Sequence, residues 1–356
     1  MQEYTLARNI VLKHGWNTTC FQIVNPGLKY YLRNDAVVGY VDTTKVRVVA
    51  GAPVCSLHRL AEVAGEFEDE AKKLRQTVCY FGAEARLEAL YQSSDKHSRI
   101  QLGAQPVWTP AKFAEICLSN STLRAQRNRA KNKGVSIREI SPAQAMEDIR
   151  LRECLTQWLE IKGLPALHFV IEPETLERLE FRRIFIAERG DDVVAFLILS
   201  PIPARNGWLT EQFPHKPNAP NGTVELMLSE AAGKLADDGA QYLTLGLSPL
   251  SVRANTEVFR NPLWLQALLF WMRKHGQRFY NFDGLDFFKA KFLPQYWEPV
   301  YAITNERVFT GRALWAIAKA FTANQPVRVI SKGLFKAVVA EMRNFRNFLR
   351  SHIMKK

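Results

Sequence analysis

Apolar residues with two different periods alternate along this chain, and that alternation restricts it to a mixed α and β fold. Leu60, Val63, Ala64, Phe67 and Ala71 recur at helical spacing within Leu57–Leu74. Val193–Leu199 is instead a continuous apolar run, the pattern of a core strand, paired with Arg183–Arg189 around a G-D-D turn. Ala36–Val41 and Val46–Ala50 read as a hairpin around D-T-T-K, and Thr77–Phe81 reads as a buried strand. Thr109-Pro110 opens a helix-like stretch over Trp108–Cys117, and Ser141-Pro142 opens another helix. Leu151–Lys162, Thr223–Asp238 and Trp264–His275 are helical, and Gln241–Leu245 is a strand that runs into GLSPLS. Both halves carry the same mixture, and 356 residues suit two domains of common size. The expectation is an α+β chain of two tandem domains, 1–117 and 118–302, followed by a basic helical tail, 303–356.

No apolar run approaches the ~20 residues that cross a bilayer. The opening MQEYTLARNIVLKHG has no hydrophobic segment of signal-peptide length. Secretion and a membrane span are therefore not expected. Cys20, Cys55, Cys79, Cys117 and Cys154 are scattered with no C-x-x-C pair, which argues against a zinc ribbon or disulfide framework and fits a reducing cytoplasm. No histidines stand at H-x-x-x-H spacing, so neither a metal nor a cofactor is expected.

The formal charge of +13 is concentrated in two places. Gly311–Lys356 holds ten Lys/Arg against Glu341 alone, and Arg124–Arg138 holds six with no acid, so +9 and +6 leave −2 for the remainder. A slightly acidic body with two basic elements speaks to partners rather than to fold. LRAQRNRAKNKG reads as a helix ended by Gly134, with Arg124, Arg127 and Lys131 on one face and Arg129 and Lys133 in a neighbouring row. It is either a solvated surface helix or a stripe for nucleic-acid or headgroup phosphates. The lack of interleaved acids favours the stripe. In the tail, Phe335, Val338, Met342, Phe345 and Leu349 share one stripe while Arg343, Arg346 and Arg350 lie opposite. That helix suits either core packing or a membrane interface.

Several catalytic signatures are missing. There is no phosphate loop, no G-x-G-x-x-G fingerprint and no [RQ]-x-x-G-x-[GA] pyrophosphate loop, and the last absence counts against a coenzyme A donor. GLSPL lacks the second glycine of a nucleophile elbow, which leaves Ser248 a candidate nucleophile on a strand end. Glu211 follows the strand-like Gly207–Leu209, and Glu225 opens a helix, where the N-terminus favours a carboxylate. Lys289 and Lys291 flank Ala290 in F-F-K-A-K-F, and side chains two apart point to different sides. The bland alternative makes the acids a cap and a surface residue, and the lysines snorkelling side chains.

LRAQRNRAKNKG (123–134), KPNAPNGTVE (216–225), TLGLSPLS (244–251) and NFDGLDFFKAKFLPQYWEPVY (281–301) resemble the cytosolic catalytic domain of phosphatidylglycerol lysyltransferases, the aminoacyl-phosphatidylglycerol synthases. VVAFLILSP (193–201) and YVDTTKVRVVAGAPV (40–54) fit the same pattern. The resemblance spans about His14 to Ala302. It implies tandem GNAT-like (acyl-CoA N-acyltransferase-like) folds, with the active site in the second and no flippase membrane domain. It further implies aminoacyl-tRNA as donor and a phosphatidylglycerol-like hydroxyl as acceptor, on the inner face of the cell membrane. Neither metal nor DNA is implied. Glu211, Glu225, Lys289, Lys291 and Ser248 are then the catalytic candidates, and Gly246, Asp283 and His215 the substrate-binding ones. The basic helix and the tail arginines would meet tRNA or anionic lipid.

The chain departs from the family at one point. Where Asp-x-x-Arg is usual, it has Glu211 and Pro214, so the carboxylate is kept and the arginine lost, with His215 and Lys216 adjacent. Two rival readings stay open: an acyltransferase using acyl-CoA or an acyl carrier on a lipid-like acceptor, and a non-enzymatic module binding RNA or membrane.

Overall fold

The computed structural model describes residues 2–162, 168–171, 176, 178–254, 261–266 and 282–323. The helical stripe at 60–71 forms as its spacing dictates: Leu60–Lys73 is a helix that buries Leu60, Val63, Ala64, Phe67 and Ala71. Thr109 caps the helix Pro110–Ser119 through the Lys112 N–H, and Ser141 with Gln144 forms a capping box on Pro142–Glu147. Trp108 does not belong to the helix after it; it is the last residue of a strand.

The described strands are β1 (Lys29–Arg33), β2 (Ala36–Asp42), β3 (Val46–Ala50), β4 (Thr77–Ala83), β5 (Ser98–Trp108), β6 (Val135–Ile140), β7 (Arg183–Arg189), β8 (Asp192–Ile202), β9 (Gly207–Gln212), β10 (Tyr242–Thr244), β11 (Ser248–Pro249) and β12 (Tyr296–Thr304). They form one sheet in the order β1-β2-β3-β4-β12-β5-β10-β9-β8-β7-β6, with β11 also on β5. Two neighbouring pairs are parallel, β3 with β4 and β9 with β10. Each parallel pair is bridged by a helix, Leu60–Lys73 in the first and Thr223–Asp237 in the second. This strand–helix–strand unit, occurring twice, gives the mixed α/β, GNAT-like architecture that the sequence suggests.

The sheet is continuous across residue 118, and β5 is its seam. Along its 11 residues β5 pairs with β12 on one edge and with β11 and β10 on the other. β12, from the end of the 118–302 stretch, is hydrogen-bonded on both edges to strands from the first 110 residues, as in Ile303 with Tyr80 and Ala302 with Ile100. Apolar clusters fill both faces. One gathers Phe21, Val107, Leu209 and Ile202; another packs Trp108, Phe113 and Phe292 against Leu226 and Met227 of the second crossover helix. All five cysteines are buried free thiols. No helix of the described residues is long and apolar enough to cross a membrane. The tail stripe and Arg343, Arg346 and Arg350 lie outside the described residues, as does most of Trp264–His275.

Gly103 of β5 permits the close approach of β11, because a Cβ there would stand 2.2 Å from the Ser248 carbonyl oxygen. Gly103→Ala is expected to lower stability by about 1–3 kcal/mol, the usual cost of overpacking. Denaturant unfolding checks this, and an unchanged midpoint would show that the β5–β11 approach is dispensable.

Candidate active site

The two strands of the second parallel pair stay together for only three residues, Tyr242 beside Gly207 through Thr244 beside Leu209. Beyond Leu209, β9 keeps to β8, with Thr210 opposite Leu199. Beyond Thr244 the chain turns through Gly246, at φ +70°, and joins β5, with Ser248 opposite Ala104. The parallel strands therefore part at their C-terminal ends, the place where parallel strand–helix units bind ligands. The corresponding notch between β3 and β4 is occupied by the chain's own N-terminal segment. There Asn17 Nδ2 donates to the Gly82 carbonyl, and a Cβ on Gly51 would lie 2.4 Å from Thr19 Oγ1.

The helix Phe282–Ala290 and the turn after it bring the K-A-K-F element to the second notch. Phe292 anchors it: the ring is fully buried, stacks on Phe113 at 5.0 Å, and its carbonyl accepts from the Trp108 indole at 3.0 Å. The two lysines go to different partners, as their spacing requires. Lys289 is buried and its ammonium donates to the Gly246 and Leu247 carbonyls at 2.8 and 2.9 Å. Burial pulls its pKa down to about 7, against the opposing pull of Asp286. Lys291 reaches Glu225, with its ammonium 4.2 Å from the Phe288 ring centre. Glu225 sits in the first turn of Thr223–Asp237, at the positive end of the helix dipole and against the Lys291 ammonium.

Glu211 lies elsewhere. It falls within β9 rather than after a strand, and alternation places it on the face of Leu209, opposite Trp208 and Thr210. Its partner is Arg182, at 2.7 Å, whose guanidinium also donates to Asn25 and lies over the Phe21 ring. Glu211 thus has an arginine, supplied from the loop before β7 rather than from position 214. Pro214 itself accepts from the Phe196 N–H beside β8, and His215 bridges Ala195. Ser248 is 1% exposed and its hydroxyl has no hydrogen-bond partner among the described residues, so no base is in contact with it. The Gly246 N–H is taken by Thr244 Oγ1, and Asp283 lies in the first turn of Phe282–Ala290.

The basic helix is Ser121–Asn132, and its arginines do not share one exposed face. Arg127 is buried with Leu123 and Ala130, and donates to the Cys117 carbonyl and to Glu230. Lys131 pairs with the same Glu230 at 3.0 Å. Arg124, Arg129, Lys131 and Lys133 are exposed. Helical spacing alone did not reveal that Arg127, in the middle of the i, i+3, i+7 row, turns inward with Leu123 and Ala130 while Arg124 and Lys131 stay exposed. Sequence reasoning also missed Arg182, Asp286 and Arg253, whose roles arise from contacts distant in the chain. No group of His, Cys, Asp and Glu suited to a metal occurs among the described residues.

With the crossover repeated and the second notch holding the acid and the ammonium, the chain falls in the class of tandem GNAT-like folds. It belongs to the family of phosphatidylglycerol lysyltransferase C-terminal domains, whose profile matches residues 8–304. It is 28% identical over 227 residues to the lysylphosphatidylglycerol biosynthesis bifunctional protein LysX of Mycobacterium sp. strain KMS, covering 58% of this chain and 20% of that protein. The chain thus spans about a fifth of the length of the curated relatives it matches. Among solved structures it is similar to the C-terminal domain of a putative lysylphosphatidylglycerol synthetase from Agrobacterium fabrum, with a TM-score of 0.74 at 19% identity, over 90% of this chain and 96% of that one. L-PGS from Bacillus licheniformis gives 0.73 at 19% identity, over 89% and 95%. At that identity the likeness is one of fold.

Lys289 makes a pH-dependent contribution. An unfolded lysine holds its proton to about 10.5 and the buried one only to about 7, so between these values the unfolded chain binds more protons and stability rises with pH. Below about 7 both states are charged and the full burial penalty applies. Relative to Lys289→Met, the wild type is expected to gain stability as pH climbs through that window. Denaturation curves at several pH values read this difference, and a constant one would contradict it.

Proposed function

We propose that this chain transfers an aminoacyl group from tRNA to the hydroxyl of a phosphatidylglycerol-like lipid while resting on the membrane surface. The observation that carries the proposal is the Lys291–Glu225 pair at the notch between β9 and β10, in a chain of this family. The acceptor oxygen adds to the aminoacyl ester carbon, the bond from that carbon to the tRNA 3′ oxygen breaks, and the acceptor's proton ends on the departing oxygen. The ester is already activated, so positioning and charge stabilisation dominate the catalysis. Lys291 supplies the positive charge for the tetrahedral oxyanion. Glu225 orients Lys291 and relays the proton. Lys289 acts one step back, holding the Gly246–Leu247 backbone that forms the wall of the notch.

Glu225 also bears on the coenzyme A alternative. A pyrophosphate at the N-terminus of the crossover helix would meet this carboxylate, whereas an aminoacyl ester, with its own ammonium, suits it. The exposed Arg124, Arg129, Lys131 and Lys133 are assigned to tRNA phosphates.

Purified protein with a complete set of charged tRNAs and phosphatidylglycerol vesicles is expected to give a ribonuclease-sensitive aminoacylated lipid. Lys291→Ala should slow its formation by about 10²–10³-fold, the range for loss of one oxyanion donor. No product from any charged tRNA would refute the proposal. Reversing Arg124, Arg129 and Lys133 together to Glu is expected to weaken tRNA binding and flatten its salt dependence. An unchanged salt slope would remove this helix from the tRNA site.

A further inference from the structure

Two polar atoms beside the Lys289 wall are buried without a partner. Ser248 is 1% exposed and Asp286 is 7% exposed, and neither Ser248 Oγ nor Asp286 Oδ1 has a hydrogen-bond partner among the described residues. Both belong to the same contact. The helix Phe282–Ala290 packs on β11, which is Ser248–Pro249. Asp286 and Lys289, three apart, share the helix face turned to that strand. Lys289 meets the carbonyls of Gly246 and Leu247 just before Ser248. Asp286 Oδ2 accepts from Arg253 Nε at 2.7 Å, just after it. Ser248 lies between these two tie points. A buried polar atom left unpaired is costly, so two at one contact mark a place where something hydrogen-bonds.

We infer that Ser248 and Asp286 form the subsite for the acceptor's headgroup hydroxyl, a neutral alcohol of a polyol phosphate. This inference rests on the proposed transfer reaction and names where its acceptor binds. The chemistry of the two atoms selects the ligand. Asp286 Oδ1, as a carboxylate oxygen, takes only a donor, while the Ser248 hydroxyl gives or takes a hydrogen bond. An alcohol satisfies both at once, donating to Asp286 and accepting from Ser248. An ammonium would satisfy Asp286 but would sit beside Arg253, which already neutralises that carboxylate, and Lys289. Ser248 is in this role a hydrogen-bonding residue rather than a nucleophile, in keeping with the lack of any base on its hydroxyl.

The test has two arms on the full chain. In the transfer assay, Asp286→Asn and, separately, Ser248→Ala should raise the KM for phosphatidylglycerol about tenfold while leaving the KM for charged tRNA unchanged. In the second arm, binding of soluble glycerophosphoglycerol is followed by ligand-observed NMR, with inorganic phosphate as the control for the phosphate group alone. The wild type is expected to bind the headgroup, and each variant to lose about tenfold in affinity. Thermal melts identify an unfolded variant, and Ser248→Ala, which removes one oxygen, keeps the test open if Asp286→Asn does not fold. Unchanged KM and unchanged headgroup binding in a folded variant would overturn the inference. So would a wild type that binds inorganic phosphate as well as it binds the headgroup. If no transfer occurs at all, headgroup binding that depends on Asp286 and Ser248 still supports the subsite, and its failure is then separable from that of the reaction.

Discussion

One guanidinium ties together the parts of the chain that the site needs. Arg205, in the connection from β8 to β9, lies between the Trp16 ring at 3.7 Å and the Tyr242 ring at 4.5 Å. It donates to Glu84 at 2.9 Å and to both oxygens of Glu298 at 3.0 and 2.8 Å. Tyr242 donates to Glu298 as well, and the Gln105 amide reaches Glu298 and Thr18. The N-terminal segment, the end of β4, β5, β10 and β12 thus converge on one buried charge cluster. Burial pushes the Glu84 carboxyl up to about 7 even though Arg205 holds it down. A cluster in this state is stable only with its partners in place, since removing one leaves an uncompensated buried charge.

That convergence explains the shape of the notch. β12 is held between β4 and β5, Tyr242 is held against Glu298 of β12, and the chain after β10 is drawn onto β5 instead of continuing beside β9. Two parallel strands that would otherwise run on together are pulled apart. The K-A-K-F element, anchored by Phe292, then covers the opening from one face, with Glu225 meeting it from the crossover helix. On the opposite face, the Arg182–Glu211 pair, with Asn25 and Phe21, secures β9 to the N-terminal segment. Two carboxylates that looked equivalent in the sequence therefore serve different faces of the sheet.

How much of this was legible in the sequence follows from where each residue's partners lie. The helix over 60–73, the β2–β3 and β7–β8 hairpins and the Thr109 and Ser141 caps depend on neighbours a few residues away, and their patterns showed them. β5 and β12 went unrecognised as strands because Gln101, Gly103, Gln105 and Pro106, or Glu298 and Pro299, interrupt the alternation. These polar residues sit in interior strands, where Gln105 is met by Tyr242, 137 residues away in the chain, and Glu298 by Arg205, 93 residues away. The pairing of Lys291 with Glu225 and of Glu211 with Arg182 was hidden for the same reason. Arg127 shows the converse: its charge suggested a ligand, and only the packing of Leu123 and Ala130 beside it revealed an inward-facing side chain.

The central claim is that the aminoacyl ester is handled where β9 and β10 part, against Lys291 and Glu225. A structure with a non-hydrolysable 3′-amide analogue of the aminoacyl-tRNA end tests it most directly. The aminoacyl carbonyl is expected within hydrogen-bond reach of Lys291, with the chain of the analogue entering between the strand ends. An analogue bound elsewhere, with the Lys291–Glu225 pair untouched, would contradict the claim.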